Sequence, residues 1–262
     1  MFSSSALRGG PGRAAARAAL TCLLAGLTLL RAQSAHAYCQ LTTSMAVAGF
    51  ACSTSGEPLL WARQCISYSV VPRTHAATPS LEEIRNTVDH SFATWGEVQC
   101  NGHRIGLALG QTDDLSMCNR PEYNETKSNS NSVIFVEDWA ARDLPKEAFG
   151  LTLVWHDPKT GQIFDADMQL NETLGTLDIC TDNTCLPGHV DMQNIITHEA
   201  GHFLGLGHSD LTNACMYGRA EVGEVSKRYL ARDDEDGICS MYGDLAQPAC
   251  AQSDYLPLGG FG

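Results

Sequence analysis

Apolar positions recur along the chain with two different periods. From Leu81 they fall at spacings of three and four, through Ile84, Val88, Phe92 and Trp95, which predicts one apolar helix face down to about Trp95. Ser80 and Glu83, just after Pro79, form a capping-box signature for its start. Shorter apolar runs predict strands at Cys65–Val71 (closed by Pro72), Ile105–Leu109, Val133–Val136, Leu151–Trp155 and Ile163–Leu170, with a turn at Pro158 and Gly161. Residues 119–132 are polar and rich in Asn and Ser, hence a loop, and residues 38–58 show no clear period. A second helix is expected from an N-cap at Asp191 to about Leu204. Strand, helix, several strands, then helices is the order of one α/β (α+β) domain with a mixed sheet. There is no internal repeat or linker between residues 60 and 245.

One apolar run does not belong to that domain. Arg8, Arg13 and Arg17 precede Ala18–Leu30, and small residues follow, ending Ala35-His36-Ala37. A basic region, a short apolar core and an A-x-A site predict a secretory signal peptide cut after Ala37, too short to span a bilayer comfortably. The chain then divides into residues 1–37 (signal), 38–59 (N-terminal segment), 60–245 (one domain) and 246–262 (a tail to which no function is assigned). The 262 residues carry a formal net charge of −13, and Arg8, Arg13, Arg17 and Arg31 leave with the signal while no acid does. An acidic chain repels phosphate backbones, so nucleic acid is not an expected partner. Of eleven cysteines, Cys22 lies in the signal, leaving an even set that predicts up to five disulfides in an exported, membrane-free monomer.

The chemistry concentrates between residues 191 and 209, which contain H-E-x-x-H-x-x-G-x-x-H. His198 and His202 are four apart on the expected helix and project from one face, a spacing that lets both imidazoles reach one zinc ion. Glu199 stands beside the open coordination position as a general base and then a proton donor. Gly205 ends the helix at low conformational cost, and the turn brings His208 round as the third ligand. Three protein ligands with an open position is the catalytic rather than the structural zinc pattern. With this chain's own composition, the five fixed positions arise by chance on the order of once in 20,000 chains.

These residues resemble the metzincin zinc peptidases, and Ser209 after the third His resembles the matrixin branch, the matrix metalloproteinase type. Met216, in Ala214-Cys215-Met216-Tyr217, is similar to the Met-turn methionine expected beneath the zinc. Asp233–Ile238, ending Met241-Tyr242-Gly243, is similar to the matrixin C-terminal helix, and Ala93-Thr94-Trp95 to its first helix. The resemblance covers roughly residues 60–245 and implies a mixed five-stranded sheet, three helices, an active-site helix and a Met-turn. It also implies that Leu151, Thr152, Leu153 and Val154 form an edge strand that pairs with substrate. Asp165 and Asp167 stand where similar enzymes carry acidic calcium ligands; they are read either as a calcium site or as a solvated acidic edge. Asp233 and Asp234 are expected to cap the last helix and bond to the active-site floor.

Departures from the family pattern are equally informative. No PRCGxPD-type segment is present, and Cys39 or Cys52 is either a zinc cap in a latent form or, as expected of an exported protein, a disulfide partner. The second, structural zinc lacks its histidines: Val154 stands at one position, and His156 reads as a strand-end residue. Gly218, Arg219 and Ala220 replace the family's Pro-x-Tyr wall, and Arg219 reads either as an acid-accepting group or as an exposed loop residue. Cys215 and Cys239, beside the Met-turn and in the last helix, are expected to bond to each other. The function expected is a secreted zinc endopeptidase holding one catalytic zinc, with protein or peptide substrates and calcium as a further candidate ion. The rivals are a non-catalytic zinc-binding adhesion module on the same fold and a zinc hydrolase of non-peptide substrates.

Overall fold

The helix read from Ser80 forms where its apolar face can be buried, and the rest of the domain is arranged round that face. The computed structural model describes residues 37–44, 52, 55–74, 78–112, 119–181 and 184–255; the signal peptide expected over residues 1–37 lies almost wholly outside them. In chain order come β1 (Leu60–Trp61), β2 (Cys65–Val70), α1 (Leu81–Gly96), β3 (Gln99–Cys100), β4 (His103–Arg104), β5 (Ala108–Gln111) and β6 (Ser132–Val136). Then follow β7 (Gly150–His156), β8 (Gln162–Asn171), β9 (Thr176–Asp178), β10 (His189–Asp191), α2 (Met192–Phe203) and α3 (Arg232–Tyr242). Among the described residues no helix is long and apolar enough to cross a membrane.

The main sheet is mixed, as expected, and has six strands rather than five because the two-residue β1 joins it. β5, β2, β6 and β8 run parallel in that order, and β1 extends the same side of β8. β7 pairs antiparallel with the other side of β8 and forms the sheet edge. Parallel neighbours need crossovers, and α1 supplies the one between β2 and β5.

α1 begins on the expected capping box: Ser80 Oγ accepts from the Glu83 N–H, and the Glu83 carboxylate accepts from the Ser80 N–H at 2.8 Å. Ile84, Val88, Phe92 and Trp95 are all buried. Phe92 stacks on Tyr68 of β2 with centroids 3.9 Å apart and meets Phe203 of α2 edge-on at 5.0 Å. Each such ring removes a large apolar area from water, and that burial, more than helix propensity, holds α1 and α2 to the sheet.

Two expectations shift. The strand read at Ile105–Leu109 pairs only from Ala108 to Gln111. Before that, the Ile105 N–H bonds to the Val98 carbonyl and the Gly106 N–H to the Tyr242 carbonyl, so the C-terminal region claims the backbone that β2 would have paired. A Cβ on Gly106 would lie 2.7 Å from the Leu245 carbonyl oxygen, which shows how closely the two segments pass. The β3–β4 hairpin is not among the predicted elements; its turn residues Asn101 and Gly102 both have positive φ, at 54° and 89°. Asn-Gly is the preferred pair for such a turn.

The cysteine pairing corrects a further expectation. Cys39–Cys52, Cys65–Cys250, Cys100–Cys239 and Cys180–Cys185 are bonded, while Cys215 is a buried free thiol. Cys239 on α3 faces β3 and reaches Cys100, with Cα atoms 5.5 Å apart. Cys215 Sγ turns instead to the Lys227 carbonyl at 3.2 Å. Cys39 and Cys52 are each other's partners, so neither caps the histidines, and Cys118 lies outside the described residues. Peptide mapping without reduction should return these four pairs, and Cys215 should react with a thiol reagent only after denaturation. Replacing Cys100 and Cys239 together by Ser should cost ~2–5 kcal/mol in urea unfolding, because the bond closes a long loop.

Candidate active site

Residues 191–209 fold as a helix, a tight turn and a return. Asp191 caps α2, its carboxylate accepting from the Asn194 N–H at 2.9 Å. The same carboxylate takes two bonds from the Arg228 guanidinium, at 2.6 Å each, and Arg228 donates onward to the Cys180 carbonyl. Asp191 is 1% exposed, so the pair is a buried, bidentate anchor for the helix start. Trp95 of α1 donates its indole N–H to the Thr197 carbonyl at 2.8 Å, fixing the axial position of α2. α2 ends where expected: Gly205 has φ +97°, and the Leu206 N–H closes back on the Gly201 carbonyl. The returning strand is held from outside by the N-terminal segment, with Leu41 N–H on the Gly205 carbonyl and Gly207 N–H on the Cys39 carbonyl, each at 2.8 Å.

That turn brings His208 against His198 and His202, as the motif spacing predicts. The three rings lie with centroids 4.8–5.3 Å apart, and one ligand atom from each lies within 4.8 Å of the others. His198 Nδ1 contacts the Cys215 carbonyl at 2.6 Å, and His202 Nδ1 contacts the Leu206 carbonyl at 2.8 Å. A carbonyl only accepts, so each Nδ1 carries the proton and each Nε2 is left with a bare lone pair. Those lone pairs converge, with Nε2 of His202 and His208 only 3.2 Å apart. Burial, then the neighbouring imidazoles, pushes His198 well below its ordinary range and His202 down to about 3, so both are neutral donors. Neutral, pre-oriented nitrogens converging on one point are a donor set that fits a zinc ion.

Glu199 lies beside the triad and is 4% exposed. Its Oε2 accepts from Thr152 Oγ of β7 at 2.7 Å. Burial raises its carboxyl to about 7, against the opposing pull of the Thr152 bond, which puts it in the range where it can take and return a proton. Gly150 makes room for it: a Cβ there would stand 2.7 Å from Glu199 Oε1. β7 therefore forms one wall of the cleft. Leu151 and Thr152 line it, Leu153 is exposed, and Val154 packs on the core. Residues 217–221 form the facing wall, and the cleft between them measures about 660 Å³.

The floor rests on two buried aspartates, as the sequence suggested. Asp234 accepts from the N–H groups of Cys215 and Met216, at 2.7 and 3.0 Å, and from Ala231 at the start of α3. Asp233 accepts from Ser209 Oγ at 2.6 Å. Met216, 2% exposed, lies beneath α2 against Gly201, where any larger side chain would meet its sulfur and stand 2.8 Å from Trp95. Gly201 occupies a variable position of the motif, and the Asp191–Arg228 pair spans distant segments, so neither role could be read from spacing.

Asp165 and Asp167 share one face of β8 and are not a solvated edge: they are 0% and 2% exposed. Asp167 accepts from the N–H groups of Ser132 and Glu122 at 2.7 and 3.0 Å. Among the described residues neither oxygen of Asp165 has a hydrogen-bond partner. Burial raises the two carboxyls to about 8 and about 7. His156 ends β7 and is half-buried, as read.

Comparison with known proteins agrees with this geometry. The sequence model of the matrixin family (peptidase M10) matches residues 60–243. Among curated proteins, the chain is 25% identical to human matrix metalloproteinase-25 over 72% of this chain and 30% of that protein. It is 28% identical to Metalloendoproteinase 2-MMP of Arabidopsis thaliana over 72% of this chain and 44% of that protein. With Metalloendoproteinase 1-MMP of the same plant it shares 43% identity over 72% of this chain and 46% of that protein. The chain thus spans less than half the length of these relatives.

Gly201→Ala tests the packing of the floor. Helix propensity alone favours alanine by about 1 kcal/mol. The collision with Met216 and Trp95 should reverse that sign and cost ~1–3 kcal/mol, read as a lower thermal midpoint.

Proposed function

Since the chain belongs to the matrixin family of zinc metalloendopeptidases, we propose that it is an exported endopeptidase whose zinc is held by His198, His202 and His208. The observation that carries this is the convergence of three imidazoles, two of which, His198 and His202, have their Nδ1 protons committed to backbone carbonyls, beside a buried carboxyl raised to about 7. Bound there, zinc supplies Lewis acidity to a scissile carbonyl and lowers the pKa of water. The protein's own groups do the rest. β7 offers an unpaired edge along Leu151–Val154, beside which an extended peptide adds as an antiparallel strand across the histidines. Glu199 takes a proton from water and returns it to the leaving amine, and Thr152 orients its carboxylate. Met216 supports the histidines from below and makes no polar contact with substrate.

Export follows from the Arg-flanked apolar segment before Ala37, and the four disulfides suit an oxidising compartment. The substrate is a protein or peptide, bound by a monomer. Calcium is the proposed partner of Asp165 and Asp167: a wholly buried carboxylate with no hydrogen bond is costly unless a cation neutralises it.

Incubation with an unfolded protein substrate tests the main claim. The wild type should cut internal bonds, and a zinc chelator should abolish the cutting. Glu199→Ala should lower the rate by about 10²–10⁴-fold while metal analysis still finds one zinc per chain. A wild type that binds zinc and cuts nothing is a binding module; one that cuts only esters or small amides is a different hydrolase. Thr152→Val removes a bond that favours the charged form of Glu199, so the acidic limb of the kcat/KM profile should move to higher pH.

Calcium gives an independent check. In chelated protein Asp165 and Asp167 hold their protons to higher pH when folded than when unfolded. Their contribution is therefore fully present below the ordinary carboxylate range and lost as pH rises towards about 8. Added calcium should restore stability at pH 8, and Asp165→Asn should weaken the calcium effect and leave only the pH dependence of Asp167, lost by about pH 7.

A further inference from the structure

The wall of the cleft facing β7 ends on a buried lysine that the catalytic chemistry does not use. Lys227 lies in the short 3-10 turn Ser226–Arg228 and is 3% exposed. Its backbone is fixed from both sides: its N–H donates to Asn194 Oδ1 at 2.7 Å, and its carbonyl accepts from Cys215 Sγ. Its side chain lines the cleft with Ile195, His198, Tyr217 and Ala220. The ammonium lies 5.4 Å over the Tyr217 ring and 3.6 Å from Glu224 Oε1. The second distance is beyond a hydrogen bond. Glu224 is already engaged, accepting from Ser226 Oγ at 2.6 Å and from the Glu221 N–H at 3.1 Å.

An ammonium has three donors and a strong need for acceptors, which burial makes more acute. Here the side of Lys227 facing the cleft offers those donors to whatever enters. Tyr217, Ile195 and Ala220 supply an apolar collar suited to methylene groups. Arg219, on the exposed rim of the same wall, adds a second positive charge. The carboxylates of Glu147 and Glu221 also border the cleft, but on its exposed rim, where water and salt screen them. The same screening applies to Arg219, so the charge that an inserted side chain meets inside is the ammonium of Lys227, offset in part by the Glu224 carboxylate 3.6 Å away.

We propose that Lys227 is a specificity-determining residue that selects peptide substrates with an aspartate or glutamate beside the scissile bond, its ammonium binding the inserted carboxylate. This rests on the peptidase reading above. An apolar side chain fills the same volume but leaves the ammonium with only its 3.6 Å ion pair to Glu224, so discrimination comes from the donors that Glu224 does not meet.

Cleavage of a denatured protein mixture, with every new terminus sequenced, tests this on the unmodified protein. Asp and Glu should be enriched at one position flanking the cut bond. Matched peptides with Glu or Leu at that position should then differ by tenfold or more in kcat/KM, in favour of Glu. Lys227→Met should remove or invert that ratio while cutting of the Leu peptide persists, and Lys227→Arg should keep it. A binding arm uses the Glu199→Ala protein with the same two peptides, read by calorimetry. If the wild type cuts but shows no acidic enrichment, or if Lys227→Met leaves the ratio unchanged, the proposal is overturned and the peptidase reading stands. If nothing is cut, the peptidase reading falls, and the binding arm decides: equal affinity for the two peptides rejects the role of Lys227, and a Glu preference lost in Lys227→Met retains it.

Discussion

His198 and His202 each offer a bare nitrogen to one shared point while the other nitrogen keeps a proton. In a buried site that proton needs an acceptor, and the protein supplies backbone carbonyls. The Leu206 carbonyl is available because the chain turns at Gly205, and the Cys215 carbonyl because the segment before Met216 is held up to α2. Much of the rest follows from keeping those two carbonyls in place. Residues 39–41 pin the first turn from outside, and Asp234 grips the second through the N–H groups of residues 215 and 216. Tyr242 on α3 reaches the Leu204 carbonyl and receives the Trp61 N–H, tying the end of α2 to the sheet.

Buried carboxylates appear in three different situations. Asp191 and Asp234 are fully satisfied, one by a guanidinium and the other by three backbone N–H groups, and they act as rivets. Glu199 has one hydroxyl partner and borders the cleft, so its proton is free to move. Asp165 has no hydrogen-bond partner among the described residues. The same side-chain chemistry becomes a rivet, a titratable group beside the cleft or an unmet buried acid according to how many donors reach it.

α2 was legible in advance because cap, ligand spacing and terminating glycine all lie within one short window. The apolar face of α1 was legible for the same reason, since its period is local. What escaped depended on distant partners. Nothing near Arg228 announces that it will meet Asp191, and the pairing of Cys239 with Cys100 rather than Cys215 is decided by which face of α3 lies over β3. Nothing in the sequence near Lys227 marks it for the place beneath Tyr217 to which the fold carries it. The Asn101-Gly102 hairpin is a different kind of miss: its signal is local, but its two strands are too short to show an alternating pattern.

The Cys65–Cys250 bond joins the first residue of β2 to the last described segment, across 185 residues. Almost every loop round the cleft falls between those two cysteines. Exposed loops are where a chain is most readily nicked by any protease. With the chain closed into a ring, a first cut in such a loop opens the ring but leaves both pieces covalently joined. A nick there changes local geometry without the loss of a segment, because the disulfide stands in for the broken backbone as the link between the two pieces.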